Sequence, residues 1–350
     1  MATITKKPDD SAVEVQAEIT VERVAKYRTK ALKELGNEVA LDGFRKGNVP
    51  ETILVQRIGE SAIMERTASI AISDELPEIL AQEKIIAIET PKVTITKLAP
   101  GNPIAFTALV TVMPEVTLPD YRAIAKKHAA PLEQPTVSDA EVADMTRFLR
   151  RERARIESIE KGTAPETAYD EAQKLEESAL PPLDDAFAQT LGAKDAAELT
   201  ARMRENMLAD KNRKAQEKVR LAIIEGILEK TPLKLPNVLV EHELDRMFDR
   251  LAHDIEHAGS TIEAYIKSVN KKPETLRAEW REPAEKRAKV QIIVHEIAAK
   301  EHIKADPASV AHELEHMKSH HPNVDEQTLR MHIESSMLPD AVFSWLEGQK

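Results

Sequence analysis

The spacing of apolar residues changes near Pro119, and this change constrains the fold more than any other feature of the sequence. Before Pro119, segments in which apolar and polar residues alternate stand beside segments with an apolar residue every three or four positions. Alternation is typical of a half-buried strand, and the longer spacing is typical of one helix face. After Pro119 only the helical spacing remains. We therefore predict an α+β domain over residues 1–118 and an all-α domain over residues 119–350.

The first domain is expected to hold a small antiparallel sheet with helices packed on one side. Alternating segments predict three strands, at residues 12–19, 93–95 and 104–112. Helical stripes predict three helices, at about residues 21–35, 50–59 and 62–82. The order of strand, helices and strands is typical of an α+β unit.

The second domain is expected to consist of helices. Ser138 and Glu141 form a capping-box pattern that opens a helix reaching about residue 160. Residues 161–182 are polar and bounded by prolines, so we interpret them as a short connector. Long helices are predicted at about residues 196–230, 236–257, 273–302 and 325–345. Pro283 and Pro339 fall inside helical patterns, and we expect them to kink or end those helices.

Composition excludes several classes of protein. The 350 residues carry a formal net charge of −11, and the charges are dispersed, which disfavours a general nucleic-acid-coating role. The absence of cysteine excludes disulfides and thiolate metal sites. No apolar run approaches the roughly 18 residues of a membrane span. We therefore expect a soluble cytoplasmic protein without a membrane partner, in which any RNA contact is local.

The stretch LDGFRKGNVP, residues 41–50, is unusual for so acidic a chain. Gly43 and Gly47 permit positive φ angles on both sides of a three-residue tip, and Pro50 prevents the next helix from starting earlier. One interpretation is an ordinary surface turn, which a single Gly-x-x-x-Gly pattern by itself favours.

The three tip residues favour a binding role instead. Phe44 would gain about 1.5–3 kcal/mol on burial, and a turn tip offers no intramolecular place to bury it. Arg45 and Lys46 suit a surface of phosphates or carboxylates. A complex of ribosomal RNA and an acidic protein patch would satisfy all three side chains.

The segment GFRKGNVP looks like the ribosome-binding signature of the trigger factor family. The resemblance extends to PETILVQRIG after the signature and to three later segments, LPPLDDAFAQTLG, MRENMLADKNRKAQEKVRLAIIEGILE and LPNVLVEHELDRM. It implies that Phe44, Arg45 and Lys46 dock on the large ribosomal subunit, touching ribosomal RNA and the protein beside the tunnel exit. It also implies an elongated carboxy-terminal chaperone domain with helical arms.

By the same resemblance, the chain would hold nascent and unfolded polypeptides against aggregation without ATP. Apolar stripes offer candidate client surfaces, at Leu199, Met203, Met207, Leu221, Ile224 and Leu228 and at Val240, Leu244, Met247 and Leu251. The alternative is that each stripe is simply core. The sequence leaves open whether the chain forms a homodimer off the ribosome.

The chain departs from the family pattern in one respect. Full-length trigger factors carry a prolyl isomerase domain of the FK506-binding type between the helix at 138–160 and the segment that begins near Leu180. Such a domain needs roughly a hundred residues and an aromatic-lined pocket. Only Phe148, Tyr169 and Phe187 are aromatic in this region. We therefore predict that the isomerase domain is missing and that the protein is not an enzyme.

A rival hypothesis comes from His312-Glu-Leu-Glu-His316. On a helix this pattern places two imidazoles one turn apart to hold Zn²⁺, with Glu313 as general base of a zinc-dependent hydrolase. Glu334 or His320 could supply a third ligand. However, seven of the eleven histidines lie between His295 and His332, so a chance pair is unsurprising.

Two further observations bear on ligands. His253 and His257 form another pair one turn apart, which we interpret as part of a solvated face. No phosphate-cradling glycine loop is present, so neither nucleotide nor any other cofactor is expected.

Overall fold

The computed structural model describes residues 2–7, 11–38, 50–129, 135–320 and 324–349. The chain forms two compact units, each built from two separate stretches. Unit 1 comprises Met1–Leu118 and Thr231–Glu301, and unit 2 comprises Pro119–Lys230 and His302–Lys350. Within the described ranges, no helix combines the length and the apolar character that crossing a bilayer requires.

The sheet of unit 1 has four antiparallel strands in the spatial order β1-β2-β4-β3. The strands are β1 (Ala2–Lys7), β2 (Ala12–Ile19), β3 (Lys92–Lys97) and β4 (Ile104–Thr111). The prediction of a small antiparallel sheet is confirmed, and β2 has the predicted bounds. β1 was not predicted, because its six residues include only two apolar ones. It is fixed by pairing with β2, from Ala2 opposite Ala17 to Lys7 opposite Ala12.

One face of this sheet forms the core of the α+β part. Alternate residues of β2 and β4 are buried there, with Phe106 the largest of them. Three helices follow β2 in the chain: α1 (Val21–Glu38), α2 (Glu51–Ile58) and α3 (Glu60–Gln82). Val24 of α1 and Ala68, Ile72 and Leu76 of α3 join the same buried cluster. The helices predicted at these positions are confirmed.

Helices α4 to α8 belong to unit 2. They are α4 (Tyr121–His128), α5 (Asp139–Glu160), α6 (Pro165–Lys174), α7 (Asp185–Thr190) and α8 (Ala196–Glu229). The predicted capping box opens α5, where the Ser138 amide donates to Glu141 Oε2 at 2.9 Å and the Glu141 amide donates to Ser138 Oγ at 3.3 Å. α4 was not predicted. It packs on α8 at Gly226, where a Cβ atom would lie 3.0 Å from Ile124 Cγ2.

The segment 161–182, interpreted as a connector, contains α6 and folds against α5. Ala168 and Ala172 of α6 are buried. Arg150 of α5 donates to the carbonyl oxygens of Pro181, Leu180 and Glu177 at 2.7–3.0 Å. Small residues and arginine-to-backbone hydrogen bonds hold this segment, and neither produces the periodic apolar pattern by which a packed helix is predicted.

The remaining five helices divide between the two units. α9 (Asn237–His257), α10 (Ile262–Ser268) and α11 (Pro273–Glu301) lie in unit 1, and α12 (Pro307–His320) and α13 (Glu326–Glu347) lie in unit 2. Pro283 and Pro339 end neither α11 nor α13. An internal proline costs about 3 kcal/mol in an isolated helix. Burial of Ala284 beside the first proline and of Val342 beyond the second stabilises the continued helices.

Candidate functional site

The predicted docking tip lies outside the described residues. This applies to Gly43, Phe44, Arg45, Lys46 and Gly47, so their role stays a prediction. Pro50 is described, and it directly precedes α2, with its carbonyl oxygen accepting from the amides of Ile53 and Leu54 at 3.0 and 3.1 Å. Helices α1 and α2 flank the tip segment in the chain, and their described residues show how these two helices are held.

Arg28 of α1 fixes the beginning of α2. Its guanidinium donates to Glu51, the first residue of α2, at 2.8 and 3.1 Å, and to Glu60, the first residue of α3, at 2.6 and 3.0 Å. Hydrogen bonds to Glu60 and Glu51 raise the pKa of Arg28, with the bond to Glu60 contributing most. Forked contacts of this kind fix orientation as well as distance. The beginnings of α2 and α3 are therefore both attached to α1 through one side chain.

The end of α1 is held by a second arginine. Arg66 of α3 donates from Nε and an Nη atom to Glu34 at 3.0 and 2.7 Å and lies 3.9 Å from Glu38, the last residue of α1. Lys30 and Asp74 add a further ion pair between these helices at 2.9 Å. The end of α1 and the beginning of α2 are thus both fixed by ion pairs, and the sequence pattern contains no signal for these pairs, which join residues 23 to 44 positions apart.

The apolar stripes predicted as client surfaces are largely core. Five of their members are buried, namely Leu199, Met203, Ile224, Val240 and Leu244. Those on α9 pack against Ala284 and Trp280 of α11. Of the ten, only Leu221 has an exposed side chain, and the others are half-buried. The alternative interpretation as core is therefore confirmed for the buried five.

A different apolar surface is exposed on α5. Met145, Phe148 and Ile156 expose 36%, 52% and 48% of their surface. At 100° per residue they fall within an arc of about 80° on the helix. The neighbouring Leu149 points elsewhere, into a cluster with Ala188, Ala193, Leu199 and Met203. We call the three exposed residues the α5 strip. The sequence analysis missed it, although the three-residue spacing of Met145 and Phe148 was a usable signal.

The residues of the rival zinc motif stand on α12 without the surroundings of a catalytic site. His312 and His316 are exposed, whereas Val310 and Leu314 on the same helix face a small core with Leu329 and Ile333 of α13. Across the described ranges, no three histidine, aspartate or glutamate side chains are close enough together to hold one metal ion. The structure gives the hydrolase hypothesis no support.

Two models of known families match this chain, one at each end. "Bacterial trigger factor protein (TF)" matches residues 1–147, and "Bacterial trigger factor protein (TF) C-terminus" matches residues 195–346. The chain belongs to the trigger factor family. The resemblance to this family that the sequence analysis found is thereby confirmed.

Curated relatives and a solved structure agree with the family assignment. The trigger factor of Alkaliphilus metalliredigens is 24% identical and aligns with 91% of this chain and 90% of its own length. The trigger factor of Clostridium beijerinckii is 24% identical, with 96% and 95% covered. A solved structure of the trigger factor chaperone superposes over the full length of both chains with a TM-score of 0.59. At 17% identity this last likeness shows the fold alone.

The isomerase domain predicted to be missing is absent from this member of the trigger factor family. Residues 148–194, between the two matched regions, contain the end of α5, then α6 and α7, and no β-strand. This segment is less than half the length that a separate isomerase domain requires. In its place α5 and α6 pack directly on each other.

Proposed function

We propose that this trigger factor family member is an ATP-independent chaperone that docks at the tunnel exit of the large ribosomal subunit. Residues 1–118 form the ribosome-binding domain and residues 119–350 form the chaperone domain. The observation that carries the proposal is the match of both trigger factor models to the chain, with the GFRKGNVP segment inside the first. Phe44, Arg45 and Lys46 bind ribosomal RNA and the protein beside the exit.

The ion pairs of Arg28 and Arg66 described above support this docking. A tip that must place one ring and two cations against a partner loses less conformational entropy on binding when its ends are already fixed. Arg28 and Arg66 fix α1 and α2, the helices that flank the tip in the chain, through pairs with Glu51, Glu60 and Glu34. Both arginines already form ion pairs within the protein, so we expect them to support the tip rather than to bind the ribosome themselves.

The α5 strip supports the holding function. Met145 and Phe148 are large, apolar and exposed, and methionine adapts its shape to differing partners. Unfolded polypeptides expose apolar side chains that a folded protein would bury. Many weak contacts of this kind give binding that exchanges rapidly, since each client must also be ordered. No nucleotide is needed for such exchange.

The docking proposal is tested by pelleting ribosomes with the chain and with F44A/R45A/K46A. We expect the triple variant to lose co-sedimentation while keeping the circular dichroism spectrum of the parent. The matched control is K92A/K97A, which removes two exposed positive charges from β3 of the same domain and is expected to pellet normally. If the triple variant still pelleted with ribosomes, the docking assignment would be wrong.

A further inference from the structure

Beyond the proposed chaperone function, we propose that His253 and His257 form a binding site for a divalent transition-metal ion of the Ni²⁺, Cu²⁺ or Zn²⁺ class. The two side chains stand one turn apart at the end of α9. Their Nε2 atoms are 3.1 Å apart, and the ring centroids are 4.4 Å apart with an interplanar angle of 84°. Both residues are exposed, so an ion can reach them from solvent.

The distance between the two nitrogens fits chelation. With metal–nitrogen bonds of about 2.0–2.1 Å, Nε2 atoms separated by 3.1 Å subtend an angle of about 95–102° at the ion. This value lies between the cis angle of octahedral coordination and the tetrahedral angle. The two nitrogens are therefore close enough together to bind one ion.

The protonation state can also accommodate an ion. The contact between the two Nε2 atoms is a hydrogen bond when one imidazole carries its proton on Nε2 and the other on Nδ1. On binding, the donor ring moves its proton to Nδ1, and a small rotation of the rings turns both Nε2 lone pairs toward the ion. No net proton is released in that exchange. Because a metal ligand must be deprotonated, protons compete with the metal for these nitrogens.

The charges around the pair favour a cation. Residues 249–257 carry three carboxylates, namely Asp249, Asp254 and Glu256, and one cationic side chain, Arg250. None of these three carboxylates forms an ion pair with any other described residue. His257 is also the last residue of α9, where the carbonyl end of the helix carries a partial negative charge.

The ligand set decides which metals suit the site. Two imidazole nitrogens select Ni²⁺, Cu²⁺ and Zn²⁺ over the oxygen-binding ions Mg²⁺ and Ca²⁺. Because no group of three ligating side chains occurs in the described part of the chain, water must complete the coordination. The site is therefore open to solvent, and its ion can exchange. A bound ion would link two successive turns at the end of α9.

The test is a calorimetric titration of NiCl₂ into the untagged full-length chain at about pH 7.5, above the usual histidine pKa. Since His312 and His316 share the same spacing, every protein in the experiment carries H312Q/H316Q. We expect one equivalent of Ni²⁺ to bind in this background and binding to be lost on adding either H253Q or H257Q. H242Q, which removes an exposed histidine from the same helix, is expected to bind like the background.

Three results would overturn the proposal. The first is no Ni²⁺ binding in the H312Q/H316Q background. The second is unchanged binding in H253Q and H257Q, and the third is an equal loss in H242Q. Circular dichroism of each variant checks that the helix content is unchanged, and all five substituted histidines are exposed, so each variant is expected to fold.

Discussion

Glu75 shows how strongly a single residue of this fold depends on its neighbours. Its side chain lies in the core of the α+β part with only 3% of the residue exposed. A carboxylate at that depth must be paired and hydrogen-bonded. Arg23 Nε lies 2.7 Å from Glu75 Oε1, and the Tyr27 hydroxyl donates to the same oxygen at 2.8 Å. Both partners come from α1, so Glu75 connects α3 to α1 beneath the sheet.

The hydroxyl of Tyr27 is expected to titrate unusually late. Burial, together with the hydrogen bond and the negative charge of Glu75, raises the pKa of Tyr27 from 10.0 to about 12. Since the folded value is the higher one, the stabilisation is complete below pH 10 and is lost as the pH rises toward 12. We therefore expect the free energy of unfolding to fall across this window. The measurement is denaturant unfolding at several pH values, together with a tyrosinate absorbance titration.

Y27F and Y169F give the matched comparison for that experiment. Y27F should remove the late-titrating tyrosine, while Y169F removes an exposed one and should leave the late transition unchanged. Identical alkaline titrations for Y27F and the parent would contradict the assignment.

At the scale of elements, the two opposite faces of α5 have different roles. One side makes the hydrogen bonds from Arg150 to the segment after α6, and the other presents the α5 strip to solvent. The α5 strip contributes little to the stability of the helix, because apolar surface lowers the free energy of folding only when it is buried. The strip is therefore free to be used in binding.

Replacing the α5 strip should impair holding without unfolding the chain. We expect M145S/F148S/I156S to suppress aggregation of an unfolded client less effectively, with client affinity weaker by about tenfold if some 1.4 kcal/mol of apolar contact is lost. Light scattering of an aggregating client, with and without ATP, measures this effect. The nucleotide should make no difference.

The control for the strip is I86S, which removes an apolar side chain of unit 1 that is 79% exposed. It should suppress aggregation as well as the parent does. Equal activity of the parent and the strip variant would exclude the α5 strip as a client surface. A change in the thermal unfolding of the strip variant would instead indicate a packing role.

At the scale of the whole molecule, the chain keeps the two ends of the trigger factor pattern and lacks the domain between them. The match ends at residue 147 and resumes at residue 195. Between them, α6 and α7 cover α5 and extend the packed helices of unit 2. The intervening segment thus has its own structural role.

We expect this chain to bind an unfolded client without speeding its prolyl isomerisation. In a refolding assay limited by a cis-to-trans proline step, the slow phase should keep its rate at any concentration of the chain, since no isomerase domain is present. A trigger factor that carries the FK506-binding-type domain serves as the positive control. Acceleration that rises with the concentration of this chain would contradict the prediction.

The sequence alone determined where most elements begin and end, because the signals for these are local. The alternation of 12–19, the capping box at Ser138 and the stripe of α8 each depend on residues a few positions apart. The family signature at residues 43–50 is local in the same way. By contrast, β1 formed because β2 offered it a partner.

Only the tertiary structure decided which apolar surfaces are buried. Leu244 and Phe148 look alike in a helical pattern, yet Leu244 meets α11 and Phe148 meets solvent. The same holds for Glu75, whose burial depends on partners about 50 positions away, and for the segment after α6, which is held by Arg150 of α5. Burial depends on the neighbouring residues that the fold places around a side chain. A sequence pattern shows only which side chains could be buried.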